Sequence, residues 1–245
     1  MTYKPDQLLI SETTESLFLD VASSICDIAN ICVRKNGIFN LALAGGSTPE
    51  KLYSTLSSAS YIDKMPWQFS HFYFGDERMV THDHADSNYL MAKRTLFDRA
   101  PIPAQNIHPV PTDCIDAKTC AEQYAASVSH VDSFDMILLG MGDDGHTASL
   151  FPQTGILDEK IKKVAAVYVE KMNSWRISMT YQVLNDAQRV LVLIQGEKKQ
   201  AIVKNVLYGD NSTQYPITAV RPAGKLIWHM DRAAHPADLK KPPSL

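Results

Sequence analysis

The chain has 245 residues with 24 basic and 27 acidic side chains, a net charge of −3. Hydrophobic residues make up 45% and charged residues 21%, ordinary values for a globular protein. Such a balance excludes a general electrostatic role on nucleic acid or a membrane surface, but not a local basic pocket.

The start, MTYKPDQLLI, lacks the apolar core of a secretory signal. No uninterrupted apolar run approaches the ~20 residues of a membrane-spanning helix. Cysteines at 26, 32, 114 and 120 form no CxxC pair, so four reduced, buried thiols in a cytoplasmic protein are expected. Residues 11–36 read as a helix, because Leu17, Val21, Ile25, Ile28, Ala29 and Cys32 recur at helical spacing and Asn36-Gly37 stops it. A short apolar strand, 38–44, ends in Gly45-Gly46-Ser47-Thr48-Pro49, a tight turn with a capping hydroxyl and a proline early in the next helix. Residues 69–74 form the next strand. A charged loop and a helix over about 86–97 follow, capped by Asp86-Ser87-Asn88. Residues 116–130 read as a helix and 134–139 as a strand running into Gly140-Met141-Gly142. Strands over 164–169 and 189–194 come next, the second leading into a helix at 197–208. The alternation predicts one α/β domain over 1–245, with a mostly parallel, Rossmann-like sheet, helices on both faces and an irregular, loosely held tail from 235. Ligands of such sheets sit at the carboxyl ends of the strands.

Three loops at those ends could carry chemistry. Gly45, Gly46, Ser47 and Thr48 place a flexible backbone and two hydroxyls at a helix start, a natural phosphate seat, with a plain N-cap turn as the alternative. No lysine follows the glycines, so this is not a nucleotide P-loop. Asp76, Glu77 and Arg78 lie directly after a buried strand, where a site or a solvated turn is expected. Further on, His82, Asp83, His84 and Asp86 lack a recognised metal-ligand spacing and read as a solvated loop. Gly140-Met141-Gly142-Asp143-Asp144-Gly145 matches GxGxxG, with Asp158 and Glu159 at about the distance of a ribose contact. Two acids inside the turn would repel a pyrophosphate, however, and Pro152 comes early for the required helix. His146, two residues after Asp144, suits a general base acting on water. Arg176, Ser178 and Thr180 would share one face of a strand. Lys199 sits in the first turn of a helix, where a lysine is mildly anomalous unless an anion binds there.

Taken together, LALAGGSTPEKLY, HFYFGDER with DSNY, FDMILLGMGDDGHTASLFP, RISMTYQVLNDAQRVLVLIQGEKK and YPITAVRP resemble, in order, the 6-phosphogluconolactonases, which share a fold with glucosamine-6-phosphate deaminase. The Ser149-Leu150-Phe151-Pro152 continuation is of the lactonase type; deaminases carry a glutamate-containing ending there. The resemblance implies hydrolysis of 6-phospho-D-glucono-1,5-lactone in the oxidative pentose phosphate pathway, without metal or cofactor. It also implies a small-molecule substrate rather than nucleic acid or membrane, and a monomer or homodimer. Compatible roles are His146 as base with Asp144 beside it. Gly45, Gly46, Ser47, Thr48, Asp76, Arg78, Asn88, Arg176 and Lys199 would bind substrate and its phosphate.

Overall fold

A computed structural model describes residues 3–209 and 214–236. Its main sheet has six parallel strands: β1 (Gln7–Ser11), β2 (Phe39–Leu43), β3 (Ser70–Phe74), β5 (Met136–Leu139), β8 (Arg189–Ile194) and β9 (Lys225–Asp231), in the order β1-β9-β8-β5-β2-β3. The helices are α1 (Thr14–Asn36), α2 (Ser47–Leu56), α3 (Asn88–Ala92), α4 (Ala117–Ser129), α5 (Tyr181–Asp186) and α6 (Gln200–Tyr208). A separate antiparallel sheet, β4-β7-β6, contains β4 (Asp76–Arg78), β6 (Val164–Val169) and β7 (Ser174–Met179).

The chain runs outward from β2 to β3 and then returns to the other side of β2 as β5. That reversal opens a crevice at the carboxyl ends of β2 and β5, where α/β sheets bind ligands. All four residues of β5 are buried, as are the last five of β8, which explains their continuously apolar sequences.

α1 starts at Thr13, whose hydroxyl accepts from Ser16 N–H while Ser16 Oγ accepts from Thr13 N–H, a reciprocal cap. It ends at Gly37, whose φ of +78° is the left-handed turn glycine adopts freely. Leu17, Val21 and Ile25 are fully buried, each contributing about 1.5–3 kcal/mol. α1 is long and apolar enough to cross a membrane by length and composition, although Asp20 and Asp27 interrupt its apolar residues. Here its apolar face packs on β1, β2 and β9.

Three other expectations change. Residues 164–169 do not join the parallel sheet: β6 folds back on β7 through a turn at Glu170–Met172, and β7 pairs with β4. β1, β4, α5 and β9 were not anticipated. Only Cys26 and Cys32 are free buried thiols; Cys114 and Cys120 form a disulfide across the start of α4. Their separation of six residues lets the first turn of α4 bring Cys120 back to Cys114. This pairing removes one support for a reducing compartment. His235 is buried rather than loosely held, and residues 237–245 lie outside the described residues.

Candidate active site

The turns after β2, β3, β5 and β8 line one cleft of about 270 Å³. The turn after β2 holds Gly46 at φ +101° as the N-cap of α2, and no side chain caps this helix. Ser47 is therefore not the expected cap; it is the first helical residue, and with Gly45, Gly46 and Thr48 it lines the cleft. Unsatisfied N–H groups and the positive end of the helix dipole thus face the cavity.

β3 leaves the main sheet at Gly75, whose N–H donates to Leu43 and whose carbonyl accepts from Met179. This crossing starts β4 and sets Arg78 directly opposite Arg176, and Asp76 opposite Ser178. Like charges directly opposed on two strands repel. Nε of both arginines is buried without a hydrogen-bond partner, while Arg78 Nη1 donates to the Asp86 carbonyl. Burial and the neighbouring Arg78 charge push the Arg176 guanidinium below its usual range, with Asp76 acting against them. Both arginines line the cleft. A bound anion would relieve their repulsion and take up their free donors.

Buried groups stiffen this wall. The Glu77 carboxylate accepts from the N–H groups of Arg78, Asn88 and Tyr89, each at 2.8 Å, and from Ser87 Oγ at 3.2 Å. Burial raises its pKa despite those bonds. Asn88, anticipated as a ligand contact, is 2% exposed and is not among the residues lining the cleft. Its amide donates to the Asp76 carbonyl, and a Cβ on Gly45 would fall 2.0 Å from its Oδ1. Asn88 therefore supports the glycine turn from behind, and glycine at 45 permits the approach. Asp76 lines the cleft and accepts from Ser149 Oγ at 2.6 Å.

The turn after β5 carries His146. Nδ1 lies 2.5 Å from Asp144 Oδ1, which also accepts from the His146 N–H at 3.2 Å. Asp144 thus both holds the turn and orients the ring. Burial pushes the Asp144 carboxyl up, but its bonds to His146 and the Lys171 charge hold it below the usual range. The imidazole stacks on Phe151, centroids 3.9 Å apart. A proton on Nδ1, held by Asp144, leaves Nε2 as the basic nitrogen, and Nε2 has no protein partner among the described residues. Ala148, also in the cleft wall, has φ +46°, a left-handed conformation rare outside glycine.

Lys199 lines the cleft but is ion-paired with Asp143 at 2.6 Å, which lowers the Asp143 pKa. One residue of the cleft wall and one partner of Asp144 were missed. Gln195, directly before the loop that carries Lys199, lines the wall; its position at a strand end was the available signal. Lys171, from the β6–β7 turn, reaches Asp144 Oδ2 at 3.4 Å, a long-range meeting with no local sequence signature.

Residues 12–228 match the family model described as glucosamine-6-phosphate isomerases/6-phosphogluconolactonase. The chain is 37% identical over 214 residues to a 6-phosphogluconolactonase of Nostoc sp., covering 82% of this chain and 85% of that protein. The structure of a 6-phosphogluconolactonase from Thermotoga maritima superposes with a TM-score of 0.80 at 29% identity, covering 92% of this chain and all of the other. A monomeric glucosamine-6-phosphate deaminase has the same fold, with TM-score 0.80 at 21% identity over 93% of this chain and 98% of the other.

Proposed function

The chain belongs to the family of glucosamine-6-phosphate isomerases and 6-phosphogluconolactonases, and we propose that it hydrolyses 6-phospho-D-glucono-1,5-lactone to 6-phosphogluconate. The observation that carries this reading is the placement, in one cleft, of a carboxylate-tethered imidazole together with two arginines whose Nε donors are free. A phosphorylated, electrophilic sugar uses both.

In this scheme the dianionic phosphate docks against Arg78, Arg176 and the uncapped start of α2 at Gly46–Thr48, with Gly45 giving the backbone room. Lys199 joins on exchanging Asp143 for the ligand. Nε2 of His146 takes a proton from water, and the resulting hydroxide attacks the lactone carbonyl carbon. Asp144 holds the tautomer and stabilises the imidazolium formed. Collapse of the tetrahedral intermediate breaks the bond from that carbon to the ring oxygen, which takes the proton back from His146. The product acid then ionises and releases a proton to solvent. Water is added across an acyl carbon–oxygen bond, so no atom changes oxidation state. The chain acts as a single catalytic domain, since both sheets contribute to the one cleft.

The test adds the protein to freshly prepared 6-phosphogluconolactone and follows acid release, with glucosamine 6-phosphate and ammonia detection in parallel. Acid release well above the spontaneous rate, without ammonia, is expected. Ammonia release instead would replace the lactonase reading with deamination.

A further inference from the structure

The β8 wall of the cleft holds a polar group that the hydrolytic scheme does not use. Oε1 of Gln195 is buried and has no hydrogen-bond partner. The residue follows Ile194, the last of β8, and lines the same cleft as His146, Arg78 and Arg176. Its backbone is fixed from the far side. Gly196 N–H donates to both carboxylate oxygens of Asp231, at 2.9 and 3.2 Å. Asp231 is fully buried and also accepts from Thr14 Oγ1 and Ala234 N–H, at 2.6 and 2.9 Å. Gly196, with φ +87°, makes the turn that leaves this carboxamide at the strand end.

A buried carbonyl oxygen without a donor destabilises the protein. A pinned turn that keeps it so is explained when a ligand supplies the missing hydrogen. The other polar groups of the cleft are differently suited. Arginines are donors only, and they match a phosphate. His146 is engaged with Asp144, and Asp76, a charged acceptor, has one of its two oxygens, Oδ2, taken by Ser149. A sugar ring brings hydroxyls that donate as well as accept, and the Gln195 oxygen is an acceptor with free capacity.

We propose that Gln195 is a specificity-determining residue, its Oε1 accepting the hydrogen bond of one ring hydroxyl of a phosphorylated sugar lactone. This inference rests on the lactonase reading above. A site built around a hydroxyl rejects analogues that lack or misplace it, because its own polar group is then left unpaired.

The test compares wild type with Gln195→Met, which keeps length and bulk but removes both polar atoms. Each is assayed on the fresh gluco-configured 6-phospholactone, its 2-deoxy analogue and its epimers at C3 and C4; the melting temperature of the ligand-free protein is also measured. The variant is expected to raise KM for the gluco lactone roughly ten- to hundred-fold, with kcat within a few-fold. Its preference over one of the three altered lactones should fall by the same factor. The melting temperature should stay level or rise, since an unpaired buried oxygen has been removed. An unchanged KM with unchanged preferences overturns the role of Gln195. So does an equal loss on all four lactones with a lower melting temperature, the mark of a structural residue. Wild-type protein that leaves the gluco lactone intact overturns the lactonase reading, and this inference with it.

Discussion

Asp144 Oδ1 lies 2.5 Å from Nδ1 of His146, and the same oxygen accepts the His146 backbone N–H. One carboxylate thereby fixes the rotamer and the tautomer of the imidazole two residues later. If Nε2 is the base, His146→Ala should lower kcat by roughly 10²–10⁴ while the protein melts near the wild-type temperature. Asp144→Asn should lower kcat by roughly 10²–10³ with a smaller effect on KM. Steady-state acid release checks both, and near-normal turnover in either variant removes that residue from the scheme.

Gly142 tests how tightly this base is placed. A Cβ there would sit 2.1 Å from both Cε1 and Nδ1 of the His146 ring, and 2.9 Å from Asp144 Oδ1. The ring is the far end of a side chain and can rotate away, so Gly142→Ala should fold. Its displaced imidazole should reduce kcat roughly ten- to hundred-fold. A variant with full activity would show that the observed ring position is not the working one.

Arg78 and Arg176 are directly opposed across β4 and β7. Arg176→Ala should raise KM for the phosphorylated lactone and reduce the preference over unphosphorylated gluconolactone, roughly ten-fold or more. Removing one of two repelling cations should leave the melting temperature in phosphate-free buffer unchanged or higher. An unaltered preference would place the phosphate elsewhere.

The fold should also carry a histidine-linked acid sensitivity away from the cleft. Burial, and then the charge of His71, lowers the His108 pKa from 6.5 to about 4. His108 Nε2 lies 3.0 Å from His71 Nδ1, and its ring stacks on Tyr73 with centroids 4.2 Å apart. Between those two pH values the unfolded chain binds a proton that the folded chain refuses. Stability is therefore lost as pH falls from about 6.5 toward 4. His108→Phe keeps the stacking and removes the titration, so its melting temperature should decline less steeply across this window. A decline identical to wild type would assign the acid sensitivity to other groups.

Much of the architecture was legible because its signals are local. Strands β2, β5 and β8 are short apolar runs ending at glycine-bearing turns, and that pattern needs neighbours only a few residues away. His146 stood out for the same reason, with its aspartate two positions before it. By contrast, Arg78 opposite Arg176, Lys199 on Asp143 and Lys171 on Asp144 join distant segments. No periodicity encodes such meetings. Asn88 illustrates the limit: its side chain serves the Asp76 carbonyl and the Gly45 turn instead of the cleft.

By itself the sequence determined the parallel α/β class, the three glycine turns at strand ends and the candidate base, because these follow from hydrophobic period and local backbone geometry. Tertiary structure alone decided how the near-neutral charge is distributed. Two arginines are gathered with unpartnered Nε donors, and Lys199 is neutralised by Asp143 at 2.6 Å. It also paired Cys114 with Cys120 and left Gln195 Oε1 without a donor. The physical reason is that register and burial are set by contacts between remote segments, and these determine which polar groups satisfy one another and which stay open for a ligand.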